Sequence, residues 1–459
     1  MKFKLVQCLR YALQGISLTF FVYLFTALVY PLEWQAEVLE WFSRLDPWVL
    51  ISYLRWQHSV PVWAWLPLLT LVATLLVGRV FCGWLCPFGA LLMLVDKISR
   101  AVFKNRVINK IRINILHRSQ PVRYVWFLFL AVIFVLGSNW VLFLTPFGLF
   151  SHEIVRSLQG AVPWVLIVII VGTLLSSRLW CSVLCPTGIL LSLVAKLRLF
   201  RYQVDGNCIR CSKCANICSV DAAPLDIGAA KEGCLVCGDC QMVCPTKAVH
   251  WLPLFGKSSK TEKEVAAGNA EVQNNPSRRQ FIKITVAVAA AVALWKSVGA
   301  TAKNVLRPPG ALQEADFTAV CNRCGRCIKA CSNNALQAMP LTYGFESYET
   351  PYIIPRQANC VLCFNCQEVC PTGAIAKVPL EKIQMGTAVL DQERCIAWVD
   401  NKQCIICGEQ CPVQAIEGDE HNPPMVIADK CVGCGTCEKV CPVEGVAAIV
   451  VQRTKGMGI

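Results

Sequence analysis

Residues 321–331 read CNRCGRCIKAC, residues 360–371 read CVLCFNCQEVCP and residues 431–442 read CVGCGTCEKVCP. Each follows C-x2-C-x2-C-x3-C, the run that holds cubane iron–sulfur clusters in bacterial ferredoxins, where the last cysteine ligates the other cluster of a pair. Three closely spaced thiolates reach three irons of one cube. The fourth, turned away by the following proline, reaches a neighbouring cube. The ligands read this way are Cys321, Cys324, Cys327 and Cys331, then Cys360, Cys363, Cys366 and Cys370, and last Cys431, Cys434, Cys437 and Cys441. Another group, stretched at its start, lies between them: Cys395, then Cys404, Cys407 and Cys411 with Pro412. Structural zinc sites usually present two C-x2-C-like pairs parted by a loop. Disulfide frameworks do not repeat near-identical four-cysteine runs. The stretch therefore reads as four [4Fe–4S] sites, held close together as stepwise electron tunnelling needs.

The same spacing occurs earlier. Cys208, Cys211, Cys214 and Cys218 precede Cys234, Cys237, Cys240 and Cys244 with Pro245, the pattern of a two-cluster ferredoxin. Ser219 and Ser332 replace the usual proline, which alters a turn and not a ligand. Of 29 cysteines, 24 fall into six groups of four, so six [4Fe–4S] clusters are the expected cofactors. Four more form two CxxxCP pairs, and Cys8 is left over. No CxxCH occurs, which excludes covalent c-type haem by that signature.

The rest of the chain has a membrane pattern. Of its 459 residues 55% are hydrophobic and 16% charged, with mean hydropathy +0.48. The net charge of +14 fits the positive-inside rule better than nucleic-acid binding, because the basic residues bunch between apolar segments. Apolar runs at about 11–30, 61–80, 124–143 and 162–179 each suit one span. Lys2, Lys4 and Arg10 precede the first run. Eight lysines and arginines from Lys97 to Arg123 lie between the second and third. Both ends of this bundle are therefore expected in the cytoplasm.

The bundle contains a repeat. Residues 79–97 align without gaps on 178–196 and match at 11 of 19 positions. Both copies fall at the cytoplasmic end of a span, so the repeats are read as parallel. Cys82, Cys86, Cys181 and Cys185 are then expected to converge, as metal or cluster ligands or as redox thiols; the bland alternative is a structural turn at the membrane edge. Pro87 and Pro186 suit the first position of a helix. Arg79 and Arg178 are expected to snorkel to the interface.

Residues 253–276 read as a flexible polar linker. Arg278 and Arg279 then stand before an apolar run of 12 residues, 284–295, which is a twin-arginine export signal and short for a span. Ala300-Thr301-Ala302 gives a small-x-small cleavage motif. The segment is either cut or kept as a fifth span. Clusters are assembled in the cytoplasm, so a domain carrying them must cross the membrane folded.

The expected architecture is an α-helical membrane bundle of four spans, five if the signal stays, plus α+β ferredoxin-like domains with [4Fe–4S] clusters. Its parts are a transmembrane domain at 1–199, a cytoplasmic two-cluster ferredoxin at 200–252, linker and signal at 253–302, and a periplasmic four-cluster domain at 303–459. The expected location is the bacterial inner membrane, multi-pass, with the C-terminal domain in the periplasm.

Residues 1–250 resemble the membrane ferredoxin of the periplasmic nitrate reductase system, the NapH type, in four spans, two CxxxCP motifs and a cytoplasmic two-cluster ferredoxin. Residues 275–459 resemble its periplasmic partner, the NapG type. There the resemblance rests on the export signal, Thr350-Pro351-Tyr352, Met385-Gly386, Ala388-Val389-Leu390-Asp391 and the stretched spacing from Cys395. The methylamine-utilisation ferredoxins MauN and MauM are similar. The resemblance implies electrons taken from membrane quinol and passed to a periplasmic reductase, such as nitrate reductase, or to a c-type cytochrome. It also implies use of the Tat export machinery. Here the two proteins are fused.

Three functions compete. In the first, a quinol dehydrogenase, His58 and His152 lie near the outer face with Glu153 and accept quinol protons; the bland reading is that they anchor the bundle beside Trp56 and Trp63. The second is a copper-reducing assembly protein of the CcoG type, similar in its CxxxCP bundle and cytoplasmic ferredoxin. That type has no exported four-cluster domain, and this chain has seven methionines and no Met-rich tract. The third is a carrier between two proteins that never touches quinone. No Rossmann, flavin or molybdenum motif is present.

Overall fold

A computed structural model describes residues 2–27, 34–57, 60–102, 122–224, 229–253, 286, 288–295, 305–400, 403–419 and 422–453. Its first part is helical: α1 (Lys2–Thr26), α2 (Trp34–Arg44), α3 (Pro47–Gln57), α4 (Trp65–Val77), α5 (Pro87–Val102), α6 (Val122–Val135), α7 (Trp140–Phe143), α8 (Pro146–Leu158), α9 (Trp164–Leu175) and α10 (Pro186–Val194). Among the described residues α1 alone is long and apolar enough to cross a membrane unaided, over Leu5–Thr26. The other apolar helices, Val62–Val77, Val122–Val135, Trp164–Leu175 and Pro186–Leu197, are shorter. The expected run of four full-length spans is thus met by one helix of that length, and the others are interrupted.

The interruptions have local causes. α4 ends at Gly78, with φ of +106°, a conformation that glycine adopts without a Cβ penalty. α9 ends at Ser176 in extended backbone. The chain then passes through a π-helical segment, Phe81–Leu85 or Trp180–Leu184, and starts a new helix at Pro87 or Pro186. α3 and α8 also start at a proline, which lacks the N–H that has no partner in a first turn. The residue before each proline caps the helix. Asp46 Oδ1 accepts from Trp48 N at 3.1 Å, Cys86 Sγ from Gly89 N at 3.3 Å, Thr145 Oγ1 from Gly148 N at 3.2 Å and Cys185 Sγ from Gly188 N at 3.3 Å. Asp46 and Thr145 stand 99 residues apart, as do Cys86 and Cys185 and the pair Trp41 and Trp140. The internal repeat therefore extends well beyond 79–97.

α1 gives the bundle its scale. Arg10 Nη1 donates to Cys237 O at 3.1 Å, at the end that carries the small ferredoxin unit and that the charge pattern marks as the expected inner one. Further along, Gln14 Nε2 donates to Gly83 O at 2.5 Å and Ser17 Oγ to Leu85 O at 2.6 Å. The segment Phe81–Leu85 thus climbs beside α1, and α5 returns, with Lys97 Nζ 3.4 Å from the Tyr11 ring centroid. α8 runs the other way: Phe150 stacks on Phe21 at 5.5 Å, and Val155 abuts Gly325. Thr187 Oγ1 donates to Asp46 Oδ2 at 2.7 Å, joining the starts of α10 and α3. Phe88 meets Phe150 at 5.4 Å near the starts of α5 and α8. All four proline-started helices therefore begin inside the bundle.

The ferredoxin parts are small two-stranded units. β1 (Phe200–Val204) pairs antiparallel with β2 (Val249–Pro253) and brackets the first two cysteine runs. In the C-terminal part β3 (Leu336–Ala338) pairs with β4 (Pro351–Ile353), β5 (Thr387–Leu390) with β8 (Ile449–Gln452), and β6 (Ile416–Glu417) with β7 (Met425–Val426). Phe317, Ile328, Val369 and Ile375 fill the core around the first two C-terminal runs. Full burial of Phe317 alone is worth roughly 2–3 kcal/mol. Residues 288–295 are helical, and Trp295 lodges between Trp140, at 5.8 Å, and Phe345, at 4.7 Å. The twin arginines lie outside the described residues.

Candidate functional site

Five cysteine runs share one backbone conformation. The residues just before and just after the second cysteine both have positive φ: Arg210 and Ser212, Val236 and Gly238, Arg323 and Gly325, Leu362 and Phe364, Gly433 and Gly435. A side chain in that region costs roughly 1–3 kcal/mol, and for a β-branched residue such as Val236 it is an outlier. Strain repeated at matching positions belongs to the site: it curls three cysteines and their amides around one centre. The stretched group lacks it, with Ile405 at φ of −125°, because its first cysteine comes from Cys395, outside the run.

The fourth cysteine of a run accepts a backbone N–H. Ala222 N reaches Cys218 Sγ, Ala248 N Cys244 Sγ, Ala335 N Cys331 Sγ and Ala415 N Cys411 Sγ, all at 3.3 Å, and Ile375 N reaches Cys370 Sγ at 3.4 Å. Each fourth cysteine also crosses to the partner run. Cys370 acts on Cys321, Cys324 and Cys327, and Cys331 on Cys360 and Cys366. Ser332 Oγ donates to Cys363 Sγ at 3.3 Å, on the same crossing. Cys441 lines one small cavity with Cys395, Cys404 and Cys407, and Cys411 lies beside Cys434. In the small unit Cys244 lines a cavity with Cys208, Cys211 and Cys214, and Cys218 faces Cys237 and Cys240. Burial pushes the Cys321 and Cys360 thiols up to about 12, so ionising them needs a strongly cationic partner. Thiol donors, curled amides and crossed pairing fit [4Fe–4S] clusters.

The bundle holds a cysteine loop at each end. At the inner end Gln7 Nε2 and Arg10 Nη1 donate to Cys237 O at 2.5 and 3.1 Å, and Trp84 Nε1 donates to Val236 O at 3.1 Å. Gly83 packs so closely that an added Cβ would lie 2.1 Å from Leu235 O. Cys82 packs in one apolar cluster with Cys218 and Cys234. At the outer end the fully buried Arg326, between Cys324 and Cys327, donates to Leu39 O at 3.3 Å and to Ser43 Oγ. Asn139 Nδ2 donates to Val320 O at 2.8 Å. Arg323 lies 4.6 Å from the Trp140 ring centroid.

The CxxxCP cysteines lie between these ends. Cys82, Cys86, Cys181 and Cys185 act on one another, and the last three are buried. Among the described residues no three of His, Cys, Asp or Glu form a single-ion site, these cysteines included. The snorkelling expected of Arg79 and Arg178 is corrected: each is 1% exposed. Arg79 Nη2 donates to Cys181 O at 2.9 Å. Arg178 carries a positive φ, and its Nε and Nη1 lack hydrogen-bond partners. Their exact coincidence in both repeat copies was the signal that pointed inward.

Of the two histidines, His58 lies outside the described residues. His152 is buried against Phe143, with Nδ1 3.1 Å from Glu153 Oε1 and Nε2 3.0 Å from Glu349 Oε2. Glu349 also accepts from Arg156 Nη1 at 2.8 Å. Burial pushes the imidazole down, but the Glu153 and Glu349 carboxylates beside it prevail and raise it. Burial pushes Glu349 up, but His152 and Arg156 hold it below the usual carboxylate range. Glu349 comes from the C-terminal part, so this lattice joins two parts of the molecule. Both ring nitrogens lie beside carboxylates. Sequence reasoning missed Glu349, Arg326 and Arg10, since no motif marks a lone charged residue that meets its partner only in the fold.

Paired cysteine runs on ferredoxin units define an iron–sulfur electron-transfer protein. Family models of a 4Fe-4S dicluster domain match residues 320–374, and of 4Fe-4S binding domains residues 424–446, 59–106 and 159–204. A twin-arginine translocation signal matches 275–295, which implies export across the membrane. The chain is 38% identical over 207 residues to the methylamine utilization ferredoxin-type protein MauM of Methylorubrum extorquens, covering 40% of this chain and 93% of that protein. It is 35% identical over 214 residues to the ferredoxin-type protein NapG of Escherichia coli, covering 41% and 91%. Through this part the chain belongs to the NapG and MauM family of ferredoxin-type proteins. No solved structure matches it.

Proposed function

We propose that the chain is a membrane quinol dehydrogenase that relays single electrons through six [4Fe–4S] clusters to a periplasmic redox partner, a reductase such as nitrate reductase or a c-type cytochrome. The observation that carries the reading is the double grip: Cys237 O is bound at one end of the bundle, and Arg326 is buried at the other. A carrier working on one face alone has no use for cluster loops fastened at both ends. In this reading the first 250 residues fill the NapH-type role and the bundle crosses an inner membrane four times, with the shorter helices completed by their proline-started neighbours.

The clusters would be held by the crossed sets described above, two in the small unit and four in the exported domain. Each supplies a one-electron step. The chain fixes their order by gripping the loops of Cys234–Cys240 and Cys321–Cys327. Cys82, Cys86, Cys181 and Cys185 lie on the route, as ligands or redox thiols, with Arg79 and Arg178 offsetting negative charge. His152 acts here as a docking group between the bundle and the exported domain.

The test is anaerobic addition of a menaquinol or ubiquinol analogue to the intact protein, with cluster absorption and EPR followed together. Fast bleaching, lost in the Cys82→Ser/Cys181→Ser double variant, supports the reading. No bleaching by any quinol, while dithionite still reduces the clusters, overturns it in favour of a protein-to-protein carrier or a copper-reducing assembly role.

A further inference from the structure

The four cysteine groups of the exported domain stand in line. The first is fastened to the bundle through Arg326 and the bond from Asn139 to Val320 O. It crosses with the second through Cys370 and Cys331. The second meets the fourth: Cys360 N donates to Cys434 O at 2.9 Å, and Asn359 Nδ2 to Thr436 Oγ1 at 2.9 Å. The fourth crosses with the stretched group through Cys411 and Cys441. The set of Cys395, Cys404, Cys407 and Cys441 is therefore last in line from the bundle.

The charge changes sign along this line. Residues 303–390 hold eight lysines and arginines against six aspartates and glutamates, whereas residues 391–446 hold four against ten, in a chain of net charge +14. Glu393, Asp400, Glu409 and Glu444 are exposed. Trp398 Nε1 donates to Pro424 O at 3.2 Å and Arg394 Nη2 to Val446 O at 2.8 Å, which gathers the segments bearing Val399, Met425 and Val446 around the last set. Trp398 and the half-buried Cys404 pack against one core there, with Cys395 and Ala448. Val399, Met425 and Val446 are apolar and yet 58%, 62% and 65% exposed. Apolar side chains rimmed by charge of one sign mark a contact between proteins, and the sign selects the partner.

We propose that electrons leave the molecule at this face, and that the partner docking there is a one-electron redox protein with a basic rim around its exposed cofactor edge. The proposal rests on the relay reading above and adds which end of the relay the partner meets and what charge it bears. One electron passes in each encounter. The cluster held by Cys395, Cys404, Cys407 and Cys441 is oxidised, and the one-electron centre of the partner is reduced. No covalent bond forms or breaks and no proton moves. Redox encounters bury little surface, so attraction between an acidic face and a basic one supplies much of their rate.

The test uses the full chain in lipid nanodiscs, reduced with dithionite, and mitochondrial cytochrome c, a lysine-rich haem protein, as the probe. A carbodiimide joins a carboxylate to a lysine in contact with it, and peptide mass spectrometry identifies the pair. Cross-links are expected on the peptides carrying Glu393, Asp400, Glu409 and Glu444. The Asp400→Lys/Glu409→Lys double variant should bind the probe about tenfold more weakly at low salt, with its cluster EPR spectrum unchanged. Added salt should weaken binding of the wild type far more than that of the variant. Flavodoxin, an acidic one-electron carrier, should not bind. Cross-links confined to residues before 391, or probe binding that neither salt nor the double variant alters, overturn the proposal, as does flavodoxin binding in place of the cytochrome. Dithionite supplies the electrons, so no arm depends on quinol. Docking here without reduction by quinol upholds this face and overturns the quinol reading; fast reduction by quinol without docking here does the reverse.

Discussion

His152 sits where one part of the molecule meets another, and its charge decides how well they hold. Its pKa is raised on docking, so its contribution is complete below the ordinary value of 6.5 and fades as pH rises through the raised value. Glu349 is shifted down, so its contribution is present above the ordinary 4.5 and fades as pH falls through the depressed value. Docking should be firmest between about 4.5 and 6.5. Protection of the 321–331 amides, taken relative to their intrinsic base-catalysed exchange, should therefore fall on the alkaline side, and His152→Gln should abolish that fall; a flat wild-type protection profile would contradict this. Arg326→Gln should weaken the same junction by roughly 1.5–3 kcal/mol, the worth of charged hydrogen bonds. Thermal unfolding followed at the exported domain would register it. At this scale the cysteines were legible because spacing carries their chemistry. Glu349 and Arg326 were not, since each meets its partner far away in the chain.

Elements were legible in kind and not in extent. Apolar runs announced helices, and the Cys-Pro pairs announced helix starts. The runs hid the turn at Gly78 and the π segments, because hydropathy does not register a chain that doubles back through apolar surroundings. The crossing of the fourth cysteines was expected from the ferredoxin run, but which run each one serves needed the fold. Cys370→Ala should disturb the cluster that Cys324→Ala disturbs, and Cys331→Ala the one that Cys363→Ala disturbs; EPR of the reduced variants decides. If Cys331→Ala and Cys324→Ala alter the same signal, the crossing is refuted. Gly83→Ala tests the inner contact. Its Cβ would meet Leu235 O at 2.1 Å, and backbone cannot yield as a flexible side chain can. The clash should cost about 1–3 kcal/mol and part the CxxxCP segment from the cluster loop. A lower melting temperature and, under the proposed function, slower reduction of the clusters by quinol would be its signs.

As a whole molecule the chain joins two units that recognise each other through surfaces of their own. Arg326, Asn139, His152 and Trp140 make contacts that do not depend on a covalent tether. Residues 1–252 and 275–459, expressed as two chains in one cell, should therefore copurify; separate elution in mild detergent would show that the tether does the holding.

The four helices that begin inside the bundle have one more consequence. Each helix N-terminus carries roughly half a positive charge, so four of them, two from each repeat, surround the interior with positive potential. A hydronium ion would meet a barrier there, as cations do in channels whose half-helices point inward. An electron meets none. Under the proposed function, in which electrons cross between two aqueous compartments, these backbone dipoles would keep protons from following.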